Sequence, residues 1–171
     1  MGARTKARKR ALDILFESEL RGLPTGQTLS DRQADADRPL NPYTVSLVDG
    51  VVAHRDEIDA LITTYATGWP LHRMPAVDRT ALRLGVFELV YVDDVPPGVA
   101  ISEAVSLVKQ LSTDESPPFV NGVLSAIATD HPRLPSDDPR PSPDDPRFSS
   151  DDPNEEPDPQ PDALGSTEPD A

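Results

Sequence analysis

Apolar residues recur at three- and four-residue intervals along most of residues 1–130, the period of amphipathic helices. Ala11, Leu12, Leu15, Phe16 and Leu20 make a first stripe, closed by Gly22 and Pro24. Residues 22–41 are polar and rich in turn formers, with one short helix expected around Leu29 to Asp37. Asn41-Pro42 is a start signal, an N-cap followed by proline at the first helical position. From there Val45, Val48, Val51, Val52, Ile58, Leu61, Ile62 and Tyr65 carry one continuous stripe to the stop at Gly68 and Pro70. The stretch from Pro75 to Val92 is apolar nearly all round, which predicts a central helix. Val99 to Leu111 predicts a fourth long helix, and Ser116-Pro117 repeats the cap-plus-proline signal for a last one, through about Ala128. No alternating strand pattern and no fixed-period repeat is present. The pattern predicts an all-α bundle of five long helices plus short ones, with short loops joining antiparallel neighbours.

Composition divides the chain. Residues 134–171 hold ten of the twenty prolines and twelve acids against two arginines. That segment has one aromatic, Phe148, and too little apolar surface to offset chain entropy, so it is expected to be a disordered acidic tail. The folded part is expected to span residues 1–133. With no cysteine, disulfides, thiolate metal sites and cysteine nucleophiles are excluded. Asp13, Glu17 and Glu19 interrupt the place where a signal peptide would carry its apolar segment, and no run approaches a membrane span, so a cytoplasmic location is expected. The formal net charge of -14 conceals an asymmetry, because Arg4, Lys6, Arg8, Lys9 and Arg10 stand together with no acid among residues 1–10.

Catalytic signatures are missing. His54, His72 and His131 are isolated and fit no metal-binding spacing; neither a nucleophile elbow nor a phosphate-cradling glycine loop occurs. No cofactor and no metal is expected. Glu88 interrupts an apolar run and reads as an acid at the bundle boundary, paired with a base such as Arg83 or Lys109. Asp56, Glu57 and Asp59 read as a solvated helix face. The basic cluster lies at or before the start of the first helix, where positive charge opposes the helix dipole. A partner for those charges is therefore expected, and RNA phosphates would supply one; a solubilising terminus is the plainer alternative. Phe119 could stack on an unpaired base while Asn121 reads its edge, or Phe119 could be core and Asn121 a loop tie.

Taken together, the segments resemble the NusB family of bacterial transcription antitermination factors over about residues 4–130. The resemblance is carried by the basic arm with Ala11-Leu12-Asp13-Ile14-Leu15-Phe16 and by Trp69-Pro70-Leu71-His72-Arg73. Asp78-Arg79-Thr80-Ala81-Leu82-Arg83-Leu84 follows, running into Phe87-Glu88-Leu89, then Ile101-Ser102-Glu103-Ala104-Val105 and Phe119-Val120-Asn121-Gly122-Val123-Leu124. It implies an all-α fold in two subdomains and binding of the boxA element, a single-stranded RNA segment of ribosomal RNA leader transcripts. It further implies the ribosomal protein NusE as partner and assembly with RNA polymerase and other Nus factors; some members form homodimers. By that resemblance Arg4, Lys6, Arg8, Lys9 and Arg10 match the RNA-binding arm, and Phe119 and Asn121 match the RNA-facing end of the last helix. Phe16, Asp78, Asp114 and Glu115 are the candidates for partner contact. Two departures stand out: Ser102 replaces the family's usual asparagine, and Pro117-Pro118 stands where members often carry a base.

Two other classes compete with an RNA-binding factor. One is a protein-interaction module whose arm is incidental, such as a homodimer that covers its RNA face. The other is an enzyme, since the N-terminal portion of certain rRNA cytosine methyltransferases is similar; residues 134–171 leave no room for their catalytic domain. The charge asymmetry also suggests that the acidic tail screens the arm from RNA; a solubility tail without specific contacts is the plainer alternative. Deleting residues 134–171 is then expected to tighten RNA binding at low salt and to change little at high salt. Equal affinities at low salt, read by fluorescence anisotropy, would overturn the screen.

Overall fold

A computed structural model describes residues 1–131, and the predicted acidic tail lies outside the described residues. The described part is all-helical. The order is α1 (Ala3–Arg21), α2 (Thr25–Gln33), α3 (Pro42–Ala53), α4 (Arg55–Tyr65), a single 3₁₀ turn (Leu71–Arg73), α5 (Ala76–Tyr91), α6 (Pro97–Leu111) and α7 (Ser116–Asp130). Helix α5 is the axis of the bundle: α1, α3, α4, α6 and α7 all pack on it, and α2 packs on α1 and α3. Residues Thr80 to Leu89 of α5 are buried without interruption, as the all-round apolar pattern predicts.

Four local expectations change. First, α1 starts at Ala3, so the basic arm is itself helix. Its charges oppose the dipole, but Arg4 pairs with Asp94 and Arg8 with Glu88, which offsets that penalty. Second, α2 begins at Thr25, directly after Pro24, earlier than the expected Leu29. Third, the long stripe after Asn41 is two helices. Asn41 caps as expected, its Oδ1 accepting from the Tyr43 amide at 2.8 Å. His54 then leaves helical geometry (φ -109°, ψ 21°) with its ring stacked on Tyr91 at 3.9 Å, and the chain turns from the α1 side of α5 to the α7 side. Fourth, Ser116 is the first helical residue of α7 and no cap, because its hydroxyl donates 2.7 Å to Asp78 instead.

Close packing of α5 depends on two glycines. A Cβ at Gly50 of α3 would sit 1.9 Å from Cζ of Phe87, and one at Gly85 would sit 2.7 Å from Cδ1 of Leu124. Both contacts are shorter than any carbon pair tolerates, so the helices approach only because no side chain is there.

Three charged side chains of α5 are buried, and each ties it to a different set of neighbours. Asp78 receives the Ser116 hydroxyl from α7. Arg83 forks onto Asp59 of α4 at 2.7 and 3.0 Å and reaches Glu19 of α1 at 2.9 Å. Asp59 is therefore a structural anion as well as part of an acidic run. Glu88, 2 % exposed, is paired neither with Arg83 nor with Lys109 but with Arg8. Arg8 Nε donates to both Glu88 oxygens at 2.9 and 3.0 Å, and the Tyr43 hydroxyl of α3 donates to the same carboxylate. Burial alone would lower the Arg8 pKa, but the hydrogen bonds and charge of Glu88 outweigh it, leaving the pKa raised.

Truncating Glu88→Ala should cost about 3–5 kcal/mol, because it strands the buried Arg8 guanidinium; the midpoint of urea unfolding reads this directly. The tyrosines add a pH dependence. Burial and then the Glu88 carboxylate raise the Tyr43 pKa, and burial and Glu57 push Tyr91 up to about 12. A raised phenol pKa means that the folded state holds its proton more tightly. That stability is whole below the unfolded value of about 10 and is lost as pH rises above it. Tyrosinate absorbance of the folded chain should therefore lag behind that of the denatured chain between about pH 10 and 12.

Candidate nucleic-acid interface

Helical phase divides the basic arm. Consecutive residues of α1 are about 100° apart around the axis, so five neighbouring cations point in different directions. Arg8 points inward: it is 3 % exposed, fixed by Glu88, and has Glu103 of α6 at 3.6 Å. It has almost no surface left for a phosphate, which corrects its place among the expected direct contacts. Its role is to set the rotation of the arm. Arg4 lies at the edge, exposed and paired with Asp94, its guanidinium 4.9 Å from the centre of the Tyr43 ring. Lys6 is exposed, and Lys9 and Arg10 are half-exposed. None of these three forms an ion pair among the described residues. Thr5 completes the seam with α6 by donating to Glu103 at 3.0 Å.

The second expected group lies at the start of α7. Ser116, docked on Asp78, fixes where that helix begins. Phe119 is half-buried, with its ring 4.7 Å from that of Trp69 and tilted 55° to it. Trp69 is in turn held by its Nε1, which donates to the Arg73 carbonyl at 3.3 Å. The turn beneath is rigid, because Arg79 donates to the carbonyls of Leu71 and Met74 at 2.9 and 3.0 Å while pairing with Glu19. Asn121 is exposed, so it is not a loop tie. The two groups are anchored at different heights on α5. Arg8 sits at Glu88 and Ser116 at Asp78, ten residues or roughly 15 Å apart along the axis.

The candidates for partner contact separate in the same way. Asp114 and Glu115 are exposed on the loop before α7. Phe16 is half-buried on α1, one turn before Leu20, which is 74 % exposed. Asp78 is fully buried and offers no surface; this corrects the expectation that it contacts a partner, since its visible task is to seat α7. Tyr43 and Trp69 escape a reading of the sequence alone. Tyr43 comes from a different helix than the arm it supports, and nothing in the spacing links Trp69 to Phe119. Among the described residues no cluster of acids and histidines could hold a metal ion, and no helix is long and apolar enough to cross a membrane.

Comparison with known proteins gives one answer. The NusB family profile matches residues 5–129. The chain is 57 % identical over 134 residues to the transcription antitermination protein NusB of Nocardioides sp., covering 78 % of this chain and 99 % of that protein. It is 59 % identical over 138 residues to the NusB of Saccharopolyspora erythraea, covering 80 % and 93 %. Among solved structures, T. maritima NusB superposes with a TM-score of 0.68 at 32 % identity, covering 77 % of this chain and 94 % of that one. A crystal structure of the antitermination factors NusB and NusE in complex with double-stranded RNA gives 0.66 at 35 % identity, covering 74 % and 96 %. A profile match over most of the chain, joined to relatives more than half identical along nearly their whole length, means that this chain belongs to the NusB family of transcription antitermination proteins and is not an enzyme.

Proposed function

We propose that this chain binds the boxA element of ribosomal RNA leader transcripts together with NusE and thereby supports transcription of rRNA operons. The observation that carries this reading is the exposed part of the arm: Lys6, Lys9 and Arg10 stand on a preformed helix and form no ion pair among the described residues. Uncompensated cations on a rigid element attract phosphates at little ordering cost. The related NusB–NusE structure with RNA supports the same partners for this chain.

In this reading Lys6, Lys9 and Arg10 contact phosphates, and Arg4 joins them by exchanging Asp94 for RNA. Phe119, backed by Trp69, offers a stacking face, and Asn121 reads a base edge. Arg8 is a positioning residue. NusE takes the flank that carries Phe16 and the Asp114-Glu115 loop, and the pair then joins RNA polymerase with other Nus factors.

Fluorescence anisotropy with a boxA RNA and a scrambled control, with and without NusE, tests the reading. Preference for boxA, strengthened by NusE, is expected. Replacing Lys6, Lys9 and Arg10 by Ala should remove most of the affinity while changing stability by no more than about 0.5 kcal/mol per site. Arg8→Ala should lower affinity and also lower the unfolding midpoint, because it strands Glu88. Equal, weak binding to both RNAs with NusE present would leave a helical interaction module and refute the proposal.

A further inference from the structure

The basic side chains of the described residues form two sets. Arg4, Arg8, Arg21, Arg32, Arg55, Arg79 and Arg83 sit in ion pairs. Lys6, Lys9, Arg10, Arg38, Arg73 and Lys109 make none among the described residues. Half of the second set, Lys6, Arg10 and Arg38, surrounds one open cleft of about 480 Å³ between α1 and the segment leading into α3. No acidic residue lines it.

The cleft is built by both walls. Lys6 and Arg10 are one helical turn apart on α1 and share a face, and Ala7 between them is small enough to leave an opening. Arg38, Pro39, Leu40 and Asn41 form the facing wall. Two contacts hold the walls apart at a set distance: Thr44 Oγ1 donates to the Ala7 carbonyl at 3.2 Å, and Asn41 caps α3. The Arg8–Glu88 pair fixes the rotation of α1, and with it the direction of Lys6 and Arg10. Three cations gathered around one hollow repel each other, and among the described residues no acid lines the hollow, although Asp13 acts on Arg10 from further along α1. Such a site stands in deficit until a ligand brings negative charge. Beside the three cations the lining holds apolar Ala3, Ala7, Pro39 and Leu40, which matches a phosphodiester with its ribose rather than a small free anion.

We infer that this cleft holds a backbone phosphate of the bound RNA, and that Arg38, from outside the arm, is a contact residue which brings the strand along the α1–α3 side. This rests on the RNA-binding reading above. A phosphate contact adds affinity without sequence preference.

The test uses the full-length chain with NusE and boxA RNA, comparing Arg38→Gln with Lys109→Gln, a base on α6 away from the cleft. Arg38→Gln should weaken binding about three- to tenfold at low salt and lower the slope of log affinity against log salt by about 0.7. The preference for boxA over scrambled RNA should remain, and Lys109→Gln should change neither quantity. Unfolding curves should coincide, because the exposed Arg38 side chain holds nothing in place. Unchanged affinity and slope in Arg38→Gln and in Lys6→Gln, with Lys9→Gln, an arm cation outside the cleft, still weakening binding, would remove the cleft from the RNA path yet leave the RNA-binding reading intact. Tighter binding by Arg38→Gln would also overturn the inference, by assigning the cleft to the chain's own acidic residues 134–171. No boxA binding by the unaltered protein would defeat the RNA-binding reading and the cleft's role with it.

Discussion

Burying α5 on all sides obliges each of its buried charged side chains to find a partner on another helix, because an unpaired charge in that setting costs several kcal/mol. Asp78, Arg83 and Glu88 meet this demand in three directions, toward α7, toward α4 and α1, and toward α1 and α3. Hydrophobic contact alone would let neighbouring helices slide and rotate against α5 with small changes in energy. Directional hydrogen bonds at three heights do not. The proposed RNA-binding surface inherits its geometry from them: the basic end of α1 and the aromatic start of α7 are each set by one of these ties.

Most of the fold was legible because helical periodicity is a local property. The stop at Gly22, the cap at Asn41 and the all-round apolar run of α5 needed only neighbouring residues to be read. The errors fell where distant residues decided the outcome. The break at His54 follows from its stacking on Tyr91. Ser116 resembles a cap in sequence, but Asp78, far away along the chain, claims its hydroxyl. Glu88 was recognisable as an acid needing a base, yet its choice of Arg8 over Arg83 or Lys109 depends on how α1 crosses α5.

The site was legible in kind more than in detail. A run of cations announces an affinity for anions, and the sequence carried that signal plainly. What it could not carry was direction. In an extended chain Arg4, Lys6, Arg8, Lys9 and Arg10 would be nearly equivalent. Wound into α1, one is buried, one is held by Asp94, and the others face outward. Positive charge at a helix start calls for partners, and some of these are internal. Asp94, Glu88 and Glu103 supply what RNA was expected to supply for Arg4 and Arg8.

Because α1 is continuous from Ala3 through the arm, its length in residues is as constrained as its charge. Inserting one residue between Arg8 and Arg10 would turn everything on the N-terminal side by about 100° relative to the rest of the helix. The count of positive charges would be the same, but Arg8 would swing away from Glu88, or Lys6 and Arg10 would cease to share a face. Exchanges of lysine and arginine among the outward cations are mild by comparison, since either keeps the positive charge. The arm should therefore drift freely in composition and resist insertions and deletions, the reverse of what its place at the end of a chain would suggest.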